Sequence, residues 1–574
     1  MSQTQHLTKT ASELDQLYQD YWEFFLKEFP TIATYLGDHR YDDRLDEVSE
    51  EAFHRRINED KKYLEQLKRI KRPSLPSDRL NYDLFERELS IPIAGAKFHP
   101  YVLPISQQIG PHIDLPQIIT YHPFNILQDY DNYITRLERF PDVFDQVTDC
   151  LRIGIKEKIV HPRVIVDKMI PQLQVQIVDD PGDSELHKPV KNIPKTLTQE
   201  DQVLLEKRVD EAILGSVIPA YAKLLAFMTE EYLPAARSSV GLWAVPEGRQ
   251  WYEYDILYNT TTRMSPVAIN RLGQRELSRI QREMQIIMKK LGFKGSFIEF
   301  AESVRNDKSQ YYATGEAIIE GYRKILARMD TKLPLLFGKL PSAKYDFREI
   351  EAFRADAAPA AYYYIAPEDR SRPAYFYVNT YKPETRPKYM MEALAYHEAV
   401  PGHHLQLAIQ QELTELPKFR RHGGYTAFIE GWALYAEQLG KEVGFYEELL
   451  SDFGRLAAEA WRAARLVVDT GIHALKWSRE KAIIFLKTNS ATSEQDIVSE
   501  VDRYIAWPGQ ALAYKIGQLE ISSLRKKAIK KLGRKFDVRQ FHDQLLSEGA
   551  LPLAILAKRM ATGKAGKEPV IRIG

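Results

Sequence analysis

The sequence predicts a mainly α-helical fold that includes one small β-hairpin. Segments 11–30 and 50–70 place apolar residues three and four positions apart with charged residues between them, which is the pattern of a helix with one buried face. Segment 265–293 continues this spacing for longer and predicts a pair of helices, with Ser265 as the N-cap and Pro266 in the first turn.

The hairpin is predicted just before a histidine-rich stretch. Two aromatic segments, "AAYYYIAP" at 360–367 and "PAYFYVNTYKP" at 373–383, are joined by "EDRSR". Short β-forming runs separated by a brief polar connection are typical of a hairpin. We therefore expect a small sheet close to the functional site.

The length of 574 residues predicts more than one lobe. We assign 1–260 to an amino-terminal helical lobe, 261–560 to a catalytic helical lobe, and 561–574 to a flexible tail. Residues 160–200 contain several prolines and little apolar periodicity, which predicts an exposed excursion from the first lobe.

Composition narrows the classes of partner. The 79 basic residues balance the 79 acidic ones, so we expect neither a nucleic-acid partner nor binding to an anionic membrane surface. We expect no run of the ~18 apolar residues needed to cross a bilayer, and the first residues show no secretory signal. The single cysteine, Cys150, excludes an intramolecular disulfide. These features predict a cytoplasmic protein.

The stretch "YHEAVPGHHLQ" nearly matches the zinc signature His-Glu-x-x-His, in which two histidines lie one helical turn apart. Here Pro401 occupies the place of the second histidine. In an unbroken helix His397 and His404 would share a face but lie about 10.5 Å apart along the axis. That separation is too long for two ligands of one zinc ion, which bind at about 2.0–2.1 Å.

Pro401 and Gly402 can interrupt the helix. We expect a bulge that absorbs two residues and returns His403 to the position of a second metal ligand beside His397. His404 is the alternative, either as the ligand or as a contact to substrate.

A third ligand is predicted on the following helix. After Gly423 and Gly424 a helix begins near Thr426 and carries Glu430 within an apolar run, where a carboxylate is costly unless it is paired or bound to metal. Glu437 is either a solvated acid or a support for a ligand.

Glu398 follows the first ligand directly. A carboxylate in this position is the natural general base, since it can accept a proton from water that the metal activates.

Two further stretches carry polar groups in apolar surroundings. In "RAARLVVDTGIHALKW", Arg465, Asp469 and His473 recur every four residues on one helical face. Asp469 could orient a ligand imidazole, and His473 or Arg465 could contact substrate; alternatively, the three form an internal ladder between helices. In "DRYIAWPGQALAYKIGQ", Tyr504 and Tyr514 could donate to an oxyanion, or they could be core aromatics.

These motifs resemble a large family of mostly bacterial proteins, the domain of unknown function 885. The resemblance runs from about residue 15 to residue 560. It is carried by "LPISQQIGPH", "GLWAVPEGRQWY", "LYNTTTRMSP", "YFYVNTYKP", "YHEAVPGHHLQ", "FIEGWALYAE", "RLVVDTGIH" and "YIAWPGQALAYKIGQ". That family is similar to gluzincin metallopeptidases, which implies zinc and a mainly helical fold with a cleft.

The resemblance also bears on individual residues. Thermostable carboxypeptidases and angiotensin-converting enzyme have His-Glu-x-Gly-His, so Gly402-His403 matches their Gly-His and favours His403 over His404. Their third ligand lies in the first turns of a helix, as Glu430 does here. The converting enzyme has an Arg-Tyr pair that supplies a transition-state tyrosine, and Arg503-Tyr504 matches it locally.

The sequence therefore predicts a zinc-dependent hydrolase that cleaves peptide bonds of short peptides. In this hypothesis His397, His403 and Glu430 hold Zn²⁺, with Glu398 as the general base. The hairpin that ends in "YFYVNTY" could pair with an extended peptide by strand addition, and Arg465 or Lys515 could bind a terminal carboxylate.

Two alternatives remain at the level of sequence. One is a metal-dependent hydrolase of a non-peptide amide or a small biosynthetic intermediate. The other is a non-catalytic helical binding protein that has lost zinc.

Overall fold

The computed structural model describes residues 3–351, 355 and 358–562, and it confirms a mainly α-helical fold with a small sheet. The chain divides into two compact units, Met1–Trp251 with Pro367–Asp369 and Tyr252–Ala366 with Arg370–Gly574. The division at Trp251 precedes the boundary predicted at residue 260. Residues 563–574 of the predicted tail lie outside the described part of the chain.

The first unit consists of helices joined by short turns. Polar side chains begin several of them: the Ser49 hydroxyl, for example, accepts the backbone N–H of Ala52 at 3.1 Å, which satisfies a donor that the helix leaves free. The helices are α1 Gln3–Glu28, α2 Pro30–Leu36, α3 Glu50–Arg69, α4 Pro76–Gly95, α5 Pro111–Asp114, α6 Leu127–Glu138, α7 Phe140–Glu157, α8 Arg163–Gln174, α9 Gln199–Ala212, α10 Ile218–Phe227 and α11 Leu233–Ala235.

Part of the exposed excursion predicted for residues 160–200 is a helix with a buried face, whereas residues 191–200 are exposed or half-buried. Helix α8 buries Ile165, Met169 and Leu173 on one face, and the four-residue spacing of these side chains explains the burial. The prolines obscured this spacing in the sequence. Two 3-10 turns follow, Pro181–Asp183 and Glu185–Asn192.

One helical stretch of the first unit corrects the expectation about membrane spans. Gln199–Ala235 contains an 18-residue window with mean hydropathy 1.5, apolar enough to cross a membrane by length and composition. In the structure 44% of that window is buried, and the Tyr221 hydroxyl donates to the backbone oxygen of His112 at 2.9 Å. A core helix of a soluble protein has the same composition, so the finding does not by itself indicate a membrane partner.

The second unit contains the predicted functional residues. The Ser265 hydroxyl caps its long helix by accepting the N–H of Ala268 at 3.3 Å, as predicted. Segment 265–293 forms one unbroken helix rather than a pair, because its apolar spacing continues without interruption. The helices are α12 Gly248–Thr260, which begins in the first unit, α13 Pro266–Lys290, α14 Phe297–Asn306, α15 Gly315–Asp330, α16 Leu333–Leu336, α17 Met391–Glu398, α18 His403–Gln411, α19 Lys418–Arg421, α20 Thr426–Glu442, α21 Leu449–His473, α22 Arg479–Asn489, α23 Glu494–Ala506, α24 Ala513–Leu532, α25 Val538–Leu546 and α26 Leu553–Thr562.

A three-stranded sheet includes the predicted hairpin. Strand β2 (Ala361–Tyr364) pairs antiparallel with β3 (Ala374–Val378), which confirms the hairpin, and β1 (Tyr345–Glu349) pairs parallel on the other side of β3. The order is β1-β3-β2. Because β3 is the central strand, its backbone groups are already paired. Within the hairpin that ends in "YFYVNTY", β2 is therefore the strand whose outer edge is unpaired among the described residues.

Helix α21 forms the centre of the second unit. Almost every residue from Asp452 to His473 is buried, and the helix packs closely along α13. The Asn270 side chain donates to the backbone oxygen of Val467 at 3.0 Å and to the hydroxyl of Thr470 at 2.9 Å. This buried helix supplies Arg462, Arg465 and Asp469 to the region described next.

Candidate metal centre

The histidine-rich stretch forms two helices with a tight turn between them. Helix α17 ends at Glu398 and α18 begins at His403. Gly402 lies so close to the end of α17 that an added Cβ would be 1.9 Å from the backbone oxygen of His397, so only glycine fits. The Trp432 indole N–H donates to the backbone oxygen of Pro401 at 2.9 Å and holds the turn in place.

This turn brings His403 back to His397. The Nε2 atoms of His397 and His403 lie 3.5 and 3.4 Å from Oε2 of Glu430, and the two imidazole rings are 4.9 Å apart. One ligand atom from each histidine and one from Glu398 all lie within 4.8 Å of one another. The structure thus places together the four residues that the sequence predicts for the centre.

His404 points away from this cluster. Its Nδ1 lies 3.0 Å from the Tyr363 hydroxyl, and its Nε2 lies 3.1 Å from the backbone oxygen of Ala343. Burial lowers the pKa of His404 to about 4, so the ring is neutral and can donate to one partner while it accepts from the other. Both nitrogens are occupied, which favours His403 as the second ligand.

The cluster fits a zinc ion. Tetrahedral ligands at about 2.0–2.1 Å from zinc are about 3.3–3.4 Å apart, close to the two measured separations. Oε2 of Glu430, the oxygen that faces both histidines, is buried without a hydrogen-bond partner among the described residues. Two imidazoles and one carboxylate are also a donor set that zinc uses in hydrolases.

The imidazoles and carboxylates of the cluster shift one another's pKa values. Burial would raise the pKa of Glu430, but His403 and His397 outweigh it and hold that pKa far below its ordinary value. Burial lowers the pKa of His397, whereas Glu430 and Glu437 raise it to about 9 overall. The pKa of Glu398 is raised, chiefly by burial.

Glu437 is bonded to the ring nitrogen of His397 that does not face Glu430. Its Oε1 lies 2.9 Å from Nδ1 of His397, and the residue is 1% exposed. A guanidinium nitrogen of Arg462 lies 3.6 Å from the same oxygen, and the Tyr446 hydroxyl donates to the backbone oxygen of Glu437 at 2.7 Å. Glu437 is therefore no solvated acid; it orients the imidazole, the role that the sequence had suggested for Asp469.

Asp469 and His473 instead form hydrogen bonds with the segment that contains Tyr504 and Gly509. The Tyr252 hydroxyl and the Gly509 N–H donate to the Asp469 carboxylate, and the His473 ring bonds the backbone oxygen of Tyr504 at 2.8 Å. Burial raises the pKa of Asp469 to about 7. These contacts match the internal ladder, and the expectation that Asp469 orients a ligand imidazole is wrong.

The two tyrosines have different surroundings. Tyr504 is fully buried; its hydroxyl donates to Glu500 at 2.7 Å and accepts from Arg465 at 3.0 Å. The Tyr514 ring, by contrast, stacks on His397 with centroids 6.2 Å apart, and its hydroxyl accepts from Gln510 at 3.4 Å. Tyr514 is the tyrosine beside the cluster, whereas Tyr504 is occupied elsewhere.

The two cations considered for a terminal carboxylate both have acidic partners. Lys515 is fully buried and donates to Glu459 at 2.7 Å and Gln518 at 2.8 Å. Arg465 binds Glu500 and Tyr504, and its guanidinium lies 4.5 Å from the centre of the Tyr514 ring. Its remaining nitrogen, Nη1, is buried without a hydrogen-bond partner among the described residues. Arg465 therefore supports Tyr514 through its contact with the ring.

A close helix crossing sets the position of Tyr514. An added Cβ at Gly517 would be 1.8 Å from the backbone oxygen of Ala427, and one at Gly431 would be 2.5 Å from Gly517. Helices α20 and α24 thus touch backbone to backbone, one residue from Glu430 and one turn from Tyr514. The small residues that permit this contact are the signal that sequence reasoning missed.

The fold and the cluster define a helical protein with a His-Glu…His arrangement on two helices and a carboxylate on a third. The family described as "Bacterial protein of unknown function (DUF885)" matches residues 30–560, and the chain belongs to that family. A comparison with curated proteins finds no match.

Two solved structures are similar to the chain. The "putative lipoprotein" from Colwellia psychrerythraea is 29% identical with a TM-score of 0.92, and the match covers 96% of this chain and 99% of that one. A "putative lipoprotein of unknown function" from Shewanella oneidensis is 20% identical with a TM-score of 0.70, over 95% and 99% of the two chains, and it shows the fold alone. The predicted likeness to gluzincins has no support in these comparisons.

Proposed function

We propose that the protein is a zinc-dependent hydrolase that cleaves peptide bonds in short peptides. The observation that carries the proposal is the convergence of His397 Nε2 and His403 Nε2 on one oxygen of Glu430, at 3.5 and 3.4 Å. Glu398 lies beside these ligand atoms. The same order of ligands and base is the reason for the proposed similarity to gluzincin metallopeptidases.

Each residue has a distinct part in the proposed reaction. A zinc ion held by His397, His403 and Glu430 would polarise the scissile carbonyl and lower the pKa of water. Glu398 accepts a proton from the attacking water and returns it to the leaving amine. Its burial, which raises its pKa, suits it to both steps.

Tyr514 is the proposed donor to the oxygen of the scissile carbonyl. Its ring is fixed between His397 and the guanidinium of Arg465, and among the described residues no acceptor takes its hydroxyl proton. A donor held in place before the reaction stabilises negative charge as it develops. Tyr504 does not fit this role, because its proton goes to Glu500.

The sheet has two edge strands, β1 and β2, and each places a tyrosine ring against His404. Strand β2 pairs with β3 on one side only among the described residues. The Tyr363 hydroxyl of β2 reaches His404, which follows the proposed ligand His403. We therefore assign peptide pairing by strand addition to β2 rather than to β3.

Metal analysis and peptide cleavage test the proposal together. We expect the purified protein to carry close to one zinc per chain and to cleave members of a short-peptide library, with loss of cleavage on chelation and recovery on adding zinc. Glu398→Gln should lower turnover at least about 10²-fold while zinc stays bound. Less than about a tenth of an equivalent of zinc, with no cleavage, would instead indicate a binding protein that has lost its metal.

A different outcome would distinguish the alternative enzyme, a metal-dependent hydrolase of non-peptide amides, from a peptidase. Zinc at one equivalent with no cleavage of any peptide, but chelator-sensitive hydrolysis of small non-peptide amides, would move the substrate from peptides to another amide. This outcome would support the metal centre and would show that the assignment to peptides is wrong.

The location of the protein is tested separately. The names of the two similar structures favour the cell envelope over the cytoplasm predicted from the sequence. Fractionation of cells that express the native gene, with a cytoplasmic and an envelope marker, distinguishes the two.

A further inference from the structure

We propose that Gln510, held by Arg503, directs the hydroxyl proton of Tyr514 away from the protein and toward the substrate. Gln510 is then a positioning residue that acts through Tyr514. Its role rests on the proposed function, in which Tyr514 donates to the oxygen of the scissile carbonyl. The direction of that proton follows from the hydrogen bonds of three neighbouring side chains.

Arg503 is fixed by a carboxylate on its own helix, α23. Its Nε and Nη2 donate to the two oxygens of Glu500 at 2.9 and 3.0 Å, the paired arrangement in which a guanidinium and a carboxylate share a plane. Glu500 is itself held, because its Oε2 also accepts from the Tyr504 hydroxyl at 2.7 Å and from Arg465 at 2.9 Å. These bonds set the direction of the remaining Arg503 nitrogen, Nη1.

Arg503 determines which way round the Gln510 amide lies. Nη1 of Arg503 donates to Oε1 of Gln510 at 2.6 Å, and Gln510 is only 6% exposed. A guanidinium can only donate. If the amide were turned over, two donors would face each other in a buried site and neither would have an acceptor. The NH2 group of Gln510 is therefore the end that faces Tyr514.

Tyr514 meets this NH2 group as an acceptor. Nε2 of Gln510 donates to the Tyr514 oxygen at 3.4 Å, four residues further along the chain. A bond of this length is weak, but Gln510 still offers the hydroxyl a donor and no acceptor. Because a tyrosine hydroxyl carries a single proton, that proton points away from Gln510.

The contacts of the Tyr514 ring hold the hydroxyl in place. The ring stacks on His397 with 17° between the two planes, and the guanidinium of Arg465 lies 4.5 Å from its centre. Among the described residues no acceptor takes the Tyr514 proton. A donor that is already directed needs no reorientation when negative charge develops beside it.

This arrangement gives Arg503 a different part from the one that the sequence suggests. The local match of Arg503-Tyr504 assigns the donor to Tyr504, whose proton goes to Glu500. Arg503 acts on the other tyrosine instead, through the amide of Gln510.

Replacing Gln510 by glutamate tests the positioning role. The new side chain has nearly the same shape and can still accept from Arg503, but its ionised carboxylate has only acceptors, so it would take the Tyr514 proton. We expect Gln510→Glu to lower kcat about 10²-fold with little change in KM, as the loss of an oxyanion donor does. Zinc content and melting temperature should stay close to the wild-type values. Gln510→Met, which neither donates nor accepts strongly, should lower kcat by less.

A double-mutant cycle distinguishes positioning from a direct effect of the added charge. In a Tyr514→Phe background, Gln510→Glu should change kcat by no more than about 2-fold, because the proton that it redirects is gone. Gln540→Glu is the matched control, since Gln540 is exposed on α25, and it should keep the wild-type kcat. An equal fall in kcat in both backgrounds would overturn the inference, and so would a wild-type kcat in Gln510→Glu or in Tyr514→Phe.

Raman spectroscopy of the metal-free protein separates this inference from the proposed function. The intensity ratio of the tyrosine doublet differs between a hydroxyl that accepts a hydrogen bond and one that donates its proton to a carboxylate. Subtracting the spectrum of Tyr514→Phe from that of the wild type isolates Tyr514 among the 32 tyrosines, and the same subtraction is made in the Gln510→Glu background. A ratio that moves toward donation in Gln510→Glu supports the positioning role even if no peptide is cleaved, in which case only the proposed function is wrong. Equal ratios in the two backgrounds would overturn the inference.

Discussion

The Nδ1 atom of His397 lies 2.9 Å from Oε1 of Glu437, and both side chains are almost completely buried. A carboxylate that accepts from Nδ1 fixes the imidazole ring and leaves Nε2 as the nitrogen that binds a metal once its proton is lost. Nε2 of His397 is the atom that faces Glu430. Glu437 therefore determines which nitrogen His397 offers to a metal.

Replacing Glu437 by glutamine should weaken zinc binding without removing a ligand. Partners of this kind contribute about 10–100-fold to metal affinity, and we expect Glu437→Gln to raise the zinc dissociation constant within that range. Competition with a chromophoric chelator measures it. Glu442→Gln is the control on the same helix, because Glu442 pairs with Arg525 away from the cluster; an equal loss in both variants would contradict the role of Glu437.

Gly402→Ala should disrupt the turn between the two ligands. A Cβ would be 1.9 Å from the backbone oxygen of His397, which overpacks a buried site and costs about 1–3 kcal/mol or more. We expect a lower melting temperature and less than stoichiometric zinc. Gly215→Ala is the control, since a Cβ there meets nothing within 4 Å; a Gly402→Ala protein with wild-type stability and zinc content would show that the turn can relax.

The two adjacent histidines should respond differently to substitution. His403→Ala removes a ring that faces Glu430 and should abolish stoichiometric zinc binding. His404→Ala leaves Tyr363 and the Ala343 oxygen without their partner and should cost about 1–3 kcal/mol of stability while zinc remains. Zinc analysis with denaturant unfolding measures both effects, and loss of zinc only in His404→Ala would reverse the assignment.

The two tyrosines give a further contrast. Tyr514→Phe should lower kcat by about 10²-fold or more with little change in KM, because a donor to developing charge acts mainly in the transition state. Tyr504→Phe removes a bond to Glu500 within a buried ion-pair cluster and should lower stability more than kcat. If Tyr504→Phe alone reduces kcat, the sequence match of Arg503-Tyr504 was the better guide.

Local patterns account for most of what the sequence predicts correctly. Helical periodicity and turn residues are encoded within a few positions, so the cap at Ser265 and the β2–β3 hairpin follow from the sequence. The addition of β1 to the far side of β3 depends on pairing between distant segments, which periodicity does not reveal. The sequence predicts an exposed excursion over residues 160–200 because prolines interrupt the apolar spacing of α8.

The site shows the same division between local and distant information. Glu430 and Glu437 are seven residues apart and so lie on one helical face, and the sequence alone already offers Glu437 as a support for a ligand. The distinction between Tyr504 and Tyr514 depends on Glu500, and that between His403 and His404 depends on Tyr363. Such contacts arise from packing of separate elements, and a residue list alone does not determine them.

Asp469 should make the stability of the protein depend on pH. Burial raises its pKa to about 7, whereas an unfolded aspartate titrates near 3.9. Between about pH 4 and pH 7 the unfolded chain releases this proton and the folded chain keeps it, so the group favours unfolding progressively as pH rises. We expect the free energy of unfolding of Asp469→Asn, relative to wild type, to increase across this range.

Asp452 provides a control of opposite sign on the same helix. Burial raises the pKa of Asp452, but Lys441 and Arg455 outweigh burial and lower it. Its contribution to stability is therefore present above the unfolded pKa and lost as pH falls through the folded pKa. The relative stability of Asp452→Asn should decrease as pH rises from acid, and urea unfolding of the three proteins at a series of pH values measures both trends. Parallel curves for wild type and Asp469→Asn would show that Asp469 is already ionised in the folded protein, because its bonds to Tyr252 and Gly509 then offset its burial.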